Sequence, residues 1–532
     1  MRRLLAFVLC ALVLGGACTG GGGSSKDNGK PHTGGTFRIG MQRPQSLDPA
    51  QAHTPGEVLL ADQLFDCLTS YDPTTLAVQP AIAASWTATP DQAHWDFTIS
   101  PSAKFSNGRP VTATDVKYSL ERLARRGSTA TTSFLLEPIT GFAAFNDPKG
   151  TANDLAGIKV TAPNVVHFDL DQPLSTLPAL LGNPTFAIVP SEAVDAKPPS
   201  PDFNREPVTS GPFRLKSRTD DVLHLVPSLG VKAFVSAVDV HFYNDEPSAY
   251  AAFNRKSVDW TTVPPDRVDE VAEKYGRGGF KPYATVGFYG FNLKSPKFAD
   301  PRFREAIVAA IDRNAIVRGI YNSTVSETSR LVPQGIPGSQ ADPCGPKCVH
   351  DPDKARALLH DAFPTGPPPS IFIDYDQDTT QDAIAKAMQA NLKDVGITAD
   401  LRPHPYTDYL NFALGGTQEL FRLGWTSLTA YPTADAYLAP LFLTGSHENV
   451  TQFSNPQVDT LLKAGRMEPD EAKRIDLEQQ AERAILDQVP VVPIFEIETH
   501  SVSATRVKNL VLTVLGTFDA SKLWLTSGPG VK

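Results

Sequence analysis

Short strand-like runs alternate with amphipathic helical segments along most of this chain, and that alternation predicts an α/β fold. Residues 36–41 and 95–99 have the composition and the alternating polarity of strands. Thr112 and Asp115 have the spacing of a helix capping box, and the apolar residues behind them predict a helix that continues to about Arg125. Each such element can bury only one face or stripe, so we expect layers of helices packed on sheets.

Later helices are predicted from a polar capping residue directly before a proline. Asp300, Asp351 and Asn455 each precede a proline, which is tolerated at the first helical position because no backbone hydrogen bond is lost there. Apolar residues at helical spacing follow these starts. Residues 490–495 are predicted to form a buried strand, and their prolines favour either an edge position or a segment that crosses between parts of the fold.

Length and charge limit the class of protein. A chain of 532 residues is too long for one compact core, so we expect two or more lobes. Its formal charge is −9 at pH 7 and it has no basic cluster. An acidic chain of this kind lacks the electrostatic footprint of a nucleic-acid-binding protein, so DNA and RNA are excluded as partners.

The N-terminus predicts export. Arg2 and Arg3 precede an apolar run at 4–14 that is too short to span a bilayer, and small residues follow at 15–17. We therefore predict a signal peptide over residues 1–17. One interpretation is ordinary secretion, with cleavage near this point and no lipid. Because Cys18 comes directly after the small residues, the segment also resembles the lipobox of bacterial lipoproteins, which implies a lipid on Cys18 and attachment to the membrane.

A Gly/Ser-rich segment follows the predicted cleavage point. Residues 18–35 contain no large apolar side chain, so we predict a flexible tether between the membrane surface and the folded body. A disordered N-terminus without that role is the alternative.

The remaining cysteines suit an oxidising compartment. Cys344 and Cys348 lie in a loop-like run rich in Gly and Pro, which favours a small disulfide ring. Metal binding by these two cysteines with His350 is the alternative, although a fourth ligand is absent nearby and the spacing is unusual. Cys67 lies in an apolar segment and is interpreted as a buried small residue.

Motifs of catalysis are absent from the sequence. We find no G-x-S-x-G, H-E-x-x-H or P-loop pattern, and the eleven histidines are scattered. The sequence therefore predicts neither an enzyme nor a cofactor or metal site. A hydrolase whose site is assembled from distant residues is the alternative.

Six stretches, in order along the chain, resemble the extracytoplasmic solute-binding proteins that feed peptide and nickel ABC importers, known as solute-binding protein family 5. None of the six is specific alone, but together they extend from about residue 35 to 495. They are residues 64–72, 79–86, 105–116, 209–213, 291–312, and 424–432 with 455–456.

The resemblance implies a two-lobed periplasmic-binding-protein fold of type II, in its large three-subdomain class. Lobe I is expected to comprise 36–50, 185–285 and 494–532, with an extra subdomain at 51–184, and lobe II to comprise 286–493. Crossings near 287–290 and 491–495 are expected to form a hinge that closes on a ligand.

The resemblance also implies where a ligand binds. In peptide-binding members of the family an extended ligand lies between the lobes as an added strand. The matching positions here, together with one acidic residue discussed next, are His53, Thr54, Thr261, Thr262, Val263, Gly424, Trp425, Thr426 and Asp435. Trp425 is expected to supply a flat apolar wall, with a core tryptophan as the alternative. His53 is interpreted as a loop histidine, with a ligand group as the alternative.

One departure from the family pattern concerns the ligand's amino group. Where peptide-binding relatives place an aspartate that pairs with this group, the chain has Ala430, in a loop that is two residues longer. A buried ammonium without a carboxylate partner is costly, and Asp435 is a substitute only if the longer loop turns it inward.

The implied function is that of a monomeric, lipid-anchored binding protein that delivers an oligopeptide-like solute to an ABC transporter permease. Three alternatives stay open at this point: a blocked peptide or cell-wall fragment, a non-peptide solute such as haem, chelated metal, an opine or an oligosaccharide, and an envelope scaffold or enzyme without a transport role.

Overall fold

A computed structural model describes residues 30–197, 202–322, 324–428 and 430–531. The predicted signal peptide, Cys18 and most of the predicted tether lie outside these described residues. Within the described ranges, the longest apolar helices fall short of what is needed to cross a bilayer.

The described chain alternates strands and helices, as the sequence predicts. The strands are β1 Thr36–Gln42, β2 Thr69–Tyr71, β3 Val78–Pro80, β4 Ala83–Ala88, β5 His94–Ile99, β6 Ile158–Ala162, β7 Val165–Asp169, β8 Phe213–Arg218, β9 Val222–Pro227, β10 Ala237–Tyr243, β11 Trp260–Thr262, β12 Phe280–Phe291, β13 Val325–Glu327, β14 Ile371–Asp376, β15 Ala399–His404, β16 Leu420–Thr426, β17 Val491–Ser503, β18 Val507–Lys508 and β19 Trp524–Leu525. The α-helices are α1 Pro55–Leu64, α2 Ala113–Ala124, α3 Phe142–Asn146, α4 Leu177–Leu180, α5 Ser191–Val194, α6 Glu246–Asn254, α7 Val268–Tyr275, α8 Pro301–Ala310, α9 Arg313–Tyr321, α10 Pro352–Ala362, α11 Thr379–Asp394, α12 Tyr406–Leu414, α13 Asp435–Phe442, α14 Pro456–Met467 and α15 Glu471–Asp487.

One large mixed sheet runs through both lobes of the two-lobed type II fold. Its strand order is β15-β14-β16-β12-β17-β11-β1-β10-β9-β8, and β13 also pairs with β17. We call the part of this sheet that contains β1 and β8 to β11 lobe I, and the part that contains β13 to β16 lobe II. A separate four-stranded sheet in the order β4-β5-β7-β6 forms a small subdomain.

Two long strands, β12 and β17, connect the two halves of the large sheet. Thr262 of β11 pairs with Ser501 near the end of β17, whereas Val325 of β13 pairs with Ile497. The antiparallel pairing of β12 with β17 is irregular between Pro282 and Val286. A second irregularity lies between Gly287 and Phe288. Because such irregularities disrupt the ladder, they bend the strands locally.

The helix starts predicted from the sequence are confirmed. Thr112 and Asp115 form a capping box at the start of α2, and this helix ends at Ala124. Asp300, Asp351 and Asn455 each cap a helix whose first residue is proline, and each side chain accepts a hydrogen bond from a backbone N–H of the first turn.

The strand predicted at 490–495 is central rather than at an edge. Strand β17 pairs with β12, β11 and β13, and Pro493 lies opposite Phe288 of β12. The edge alternative is therefore wrong, and the crossing alternative describes this strand.

The small subdomain packs against lobe II through polar and apolar contacts. Asn183 donates a hydrogen bond of 2.9 Å from Nδ2 to the carbonyl oxygen of Ala430, and the N–H of Ser175 donates to the carbonyl oxygen of Arg466 at 2.7 Å. The ring of Phe134 meets Trp425 edge to face, with 5.8 Å between centroids. These contacts place the loop before α13 against the subdomain.

The three cysteines within the described ranges lie where the sequence suggests. Cys344 and Cys348 are joined by a disulfide that closes a short loop before α10. Cys67 is buried, and its Sγ is 3.1 Å from the carbonyl oxygen of Asn183, to which the thiol donates.

Candidate functional site

A cavity of about 630 Å³ lies in lobe I where three parallel strands end. Strand β1 is parallel to β10 on one side and to β11 on the other, so the carboxyl ends of all three meet at one edge of the sheet. Ligands of open α/β sheets bind in crevices at that edge. The cavity volume also lies within the range of small-ligand sites, about 300–1,000 Å³. Its walls include Met41, Gln42, Arg43, His53, Thr54, Glu57, Tyr243, Glu246, Trp260, Thr262, Thr499 and Gly516.

Trp260 forms part of the cavity wall and carries an unused hydrogen-bond donor. Its side chain is buried, and its ring meets Phe518 edge to face at 5.1 Å. Within the described part of the chain, neither Trp260 Nε1 nor the neighbouring Thr261 Oγ1 has a hydrogen-bond partner. A buried polar group without a partner costs about 1–3 kcal/mol, so a ligand acceptor that reached Trp260 would recover part of that cost.

Asp259, the residue before Trp260, fixes the start of β11. Its carboxylate accepts bidentate hydrogen bonds from Arg38 and from Arg506, at distances of 2.7–3.0 Å. Burial alone raises the pKa of Asp259, but the hydrogen bonds from the two guanidinium groups outweigh burial and hold this pKa below its usual value. The ionised carboxylate therefore locks β11 to β1 and to the C-terminal segment, which positions Trp260.

Glu57 holds the loop on the opposite wall. One of its oxygens accepts hydrogen bonds from the backbone N–H groups of His53 and Thr54, both at 3.2 Å, and the other accepts from the N–H of Gln45 at 2.9 Å. Thr54 and Glu57 form a complete capping box at the start of α1. The side chain of Thr54 is thus engaged in helix capping, and the ring of His53 lies beside Glu57, with Nδ1 3.3 Å from Oε2.

Charged groups around the cavity differ in how far they are already paired. Arg43 forms an ion pair of 2.6 Å with Asp221. Glu246, at the first position of α6, has no ion pair among the described residues. Its carboxylate is therefore a negative charge that the cavity offers to a cationic ligand group.

On lobe II, strand β16 has one edge that is only partly covered. Gly424, Trp425 and Thr426 pair with residues 285–287 of β12. On the other side β14 pairs with Leu420 and Phe421, and beyond Phe421 no strand from the described ranges continues that pairing. The carbonyl oxygen of Arg422 already accepts a hydrogen bond of 2.7 Å from the Tyr409 hydroxyl, so an extended chain could add to the sheet by β-augmentation only beyond Arg422.

Trp425 and Asp435 have partners within the protein. Trp425 is 7% exposed, and its Nε1 donates a hydrogen bond of 2.8 Å to the carbonyl oxygen of Ala436. Asp435 is buried and accepts hydrogen bonds from Arg466 Nε at 2.8 Å and from the Tyr431 hydroxyl at 3.1 Å. A buried carboxylate that already has a cationic partner is satisfied without a ligand.

The structure brings some of the sequence-predicted site residues together and separates others. His53, Thr54 and Thr262 line the cavity, and Val263 is buried directly after Thr262. By contrast, the predicted residues of lobe II do not line it: Gly424, Trp425, Thr426 and Asp435.

Sequence reasoning missed Glu57, Trp260 and Glu246. The Thr-x-x-Glu spacing of Thr54 and Glu57 is a capping-box signal in the sequence and could have identified Glu57. Trp260 and Glu246 reach the cavity through strand pairing and helix placement, for which a single sequence has no local signal.

Comparison with known proteins gives consistent matches over nearly the whole chain. The family model described as "Bacterial extracellular solute-binding proteins, family 5 Middle" matches residues 77–449. The dipeptide-binding protein DppE of Bacillus subtilis (strain 168) is 26% identical over 462 residues, covering 83% of each chain. The oligopeptide-binding protein OppA of the same organism is 23% identical over 531 residues, covering 96% of each chain.

Solved structures show the same fold. The unliganded open form of the periplasmic murein tripeptide binding protein MppA matches with a TM-score of 0.79 at 22% identity, covering 94% of this chain and 99% of that one. Haemophilus influenzae OppA in complex with the peptide RPPGFSPFR matches with a TM-score of 0.69 at 20% identity, covering 92% and 99%.

Proposed function

Because the chain belongs to family 5 of the bacterial extracellular solute-binding proteins, we propose that it captures an oligopeptide-like solute between its lobes and delivers it to an ABC transporter permease. Relatives named for dipeptide and oligopeptide binding support the ligand class. The role needs no bond to be made or broken, in keeping with a binding protein rather than an enzyme.

The observation that carries this proposal is the cavity beside Trp260. An extended peptide is a chain of backbone acceptors and donors, and the unpartnered indole N–H of Trp260 supplies a donor on lobe I. The partly covered edge of β16 supplies backbone groups on lobe II. Backbone recognition on both sides gives affinity with little dependence on the ligand's side chains.

Closure of the lobes is the step that couples binding to transport in this proposal. The ligand binds the closed form more tightly because only that form presents both lobes to it, and it therefore shifts the population toward closure. Bending at the irregular pairing between Pro282 and Val286 supplies the motion. We propose that the permease recognises the closed, ligand-bound form of the protein.

Export and a lipid on Cys18 complete the proposal. The anchor would keep the protein at the outer face of the cytoplasmic membrane, near its permease, with residues 18–35 as the tether. Metabolic labelling with a fatty-acid analogue tests this step, because Cys18→Ser should abolish the label and release the protein.

Binding is tested with purified mature protein and peptides of two to six residues. We expect at least one length class to raise the melting temperature and to give saturable isothermal titration. Small-angle scattering should then show a more compact particle with that peptide. Peptides of every length that change neither the melting temperature nor the scattering curve would contradict peptide capture.

A second candidate ligand is a peptide without a free amino group, or a non-peptide solute. It is favoured by Ala430, which carries no charge, and by the hydrogen bond between Asp435 and Arg466.

Matched peptides with a free and with an N-acetylated amino group distinguish a ligand with a free amine from one without it. If the carboxylate of Glu246 binds the free amine, Glu246→Gln should weaken binding of the free peptide and leave binding of the acetylated peptide unchanged. Mass spectrometry of co-purified material would identify a non-peptide ligand.

A further inference from the structure

Two histidines and an aspartate meet on the exposed face of the small subdomain sheet. Strands β5 and β7 are antiparallel, with His94 opposite Asp169 and Asp96 opposite His167. Alternate residues of β5, Trp95 and Phe97, point into the core. The other face therefore presents the polar side chains to solvent.

The distances within this group suit a metal ion. The Oδ1 atom of Asp169 lies 2.6 Å from Nδ1 of His94 and 3.0 Å from Nε2 of His167. One ligand atom from each of the three side chains lies within 4.8 Å of the other two. Ligand atoms about 2.1 Å from a Zn²⁺ ion are about 3.0–3.4 Å apart at octahedral or tetrahedral angles, so small rotations of the side chains suffice.

His167 is oriented as metal-bound histidines are. Its Nδ1 faces Oδ1 of Asp96 at 2.9 Å, and its Nε2 faces Asp169. A ligating histidine characteristically donates its other ring N–H to a carboxylate, which fixes the tautomer and aims the lone pair at the metal. A cation between Nε2 and Asp169 satisfies both atoms at once.

We propose that His94, His167 and Asp169 bind a divalent transition-metal ion of the Zn²⁺ class, at a site separate from the ligand cleft. Two imidazoles and one carboxylate suit Zn²⁺, Ni²⁺ or Cu²⁺ better than Mg²⁺ or Ca²⁺, which prefer oxygen ligands. Water completes the coordination on the solvent side, since 46% of the His94 side chain is exposed. Lys159, whose Nζ lies 2.5 Å from Oδ2 of Asp169, competes with the metal for that carboxylate.

The test uses tag-free mature protein dialysed against a chelator and titrated calorimetrically with ZnCl₂. We expect saturable binding of one ion per chain, weakened at least tenfold by His94→Ala and by His167→Ala. Lys159→Gln should tighten binding severalfold, because it removes the competing cation. The matched control is His224→Ala, which should leave the Zn²⁺ affinity unchanged. Nδ1 of His224 on β9 lies 2.6 Å from Oδ1 of Asp239 on β10, but this is a single histidine–aspartate pair.

A second measurement uses the unaltered protein, so it does not depend on the folding of any variant. Histidine modification by diethylpyrocarbonate, followed by mass spectrometry, should show that Zn²⁺ protects His94 and His167 and not His224. Three results would each overturn the proposal: no saturable binding of Zn²⁺, the same Zn²⁺ affinity in His94→Ala as in the unaltered protein, or the same histidine labelling with and without Zn²⁺. The three side chains would then form only a surface ion-pair network.

Discussion

Arg466 donates a hydrogen bond of 2.8 Å from Nε to Oδ1 of Asp435, and both side chains are largely buried where lobe II meets the small subdomain. The carbonyl oxygen of Arg466 also accepts from the N–H of Ser175 in that subdomain. The pair therefore belongs to the packing between the two parts. Desolvation lowers the pKa of Arg466, but the charge of Asp435 outweighs it and raises this pKa overall, which keeps the guanidinium ionised.

Removing one member of this pair should destabilise the protein strongly. Arg466→Met leaves the Asp435 carboxylate buried without its cation, which costs about 3–5 kcal/mol. The double variant with Asp435→Asn should recover part of that loss, because no uncompensated charge remains. Urea unfolding of the single and double variants measures both effects.

An exposed pair provides the control for the Arg466 prediction. Arg356 and Asp353 form an ion pair at the surface of α10, with 94% of the Asp353 side chain exposed. Arg356→Met should cost less than about 1 kcal/mol. Equal losses in Arg466→Met and Arg356→Met would show that the buried pair has no special role.

Trp260→Phe should weaken ligand binding by about tenfold. The substitution keeps an aromatic ring against Phe518 and removes the indole N–H, which has no hydrogen-bond partner among the described residues. Loss of one hydrogen bond in a buried site costs about 0.5–1.5 kcal/mol, and 1.4 kcal/mol corresponds to a factor of ten. Isothermal titration with the peptide that most raises the melting temperature measures the change.

Trp86→Phe is the matched control for this prediction. Trp86 stacks on Phe97 in the small sheet and does not line the cavity. Its substitution should leave the affinity unchanged. If Trp260→Phe also binds as tightly as the unaltered protein, the indole N–H does not contact the ligand.

Local signals in the sequence predicted much of the fold. The capping residues Thr112, Asp300, Asp351 and Asn455 each begin a helix at the expected position, because a cap depends on residues within one turn. Strand β17 was harder to place, since the prolines at 490 and 493 suit either an edge or a crossing strand, and only pairing with distant strands decides between them.

The candidate site was predictable only in part because it depends on long-range pairing. Family resemblance indicated His53, Thr54 and Thr262, which line the cavity. Trp260 comes to the same wall because β11 pairs with β1, more than two hundred residues earlier in the chain. The histidine pair of the small sheet was missed for the same reason, because His94 and His167 are far apart in the sequence and come together only through the pairing of β5 with β7.

Reduction of the disulfide between Cys344 and Cys348 should lower the free energy of unfolding by about 2 kcal/mol. Closing a short loop restricts the unfolded chain, and the chain-entropy relation gives that value for a loop of about five residues. Urea unfolding with and without a reducing agent measures the loss. The double variant Cys344→Ser/Cys348→Ser should no longer respond to the reductant, and a response of equal size would point to a cause other than this bond.

Stability should decrease with rising pH because of a carboxylate cluster beside α1. Burial, together with the negative charges of Asp519 and Asp66, raises the pKa of Asp62 to about 8, and burial with Asp519 raises that of Asp66 to about 7. A carboxyl group whose pKa is higher in the folded state binds its proton more tightly there. Its stabilising contribution is therefore complete below pH 4 or so and is lost as the pH rises toward about 8.

Asp62→Asn tests this directly, because the amide keeps the shape of the side chain and cannot ionise. Urea unfolding at several values between pH 5 and pH 8 should show a smaller loss of stability in Asp62→Asn than in the unaltered protein, with the largest gain at the alkaline end. The exposed carboxylate of Asp353 supplies the control, since Asp353→Asn should leave the slope unchanged. An Asp62→Asn protein that loses stability as steeply as the unaltered chain would show that Asp62 is ionised in the folded state throughout this range.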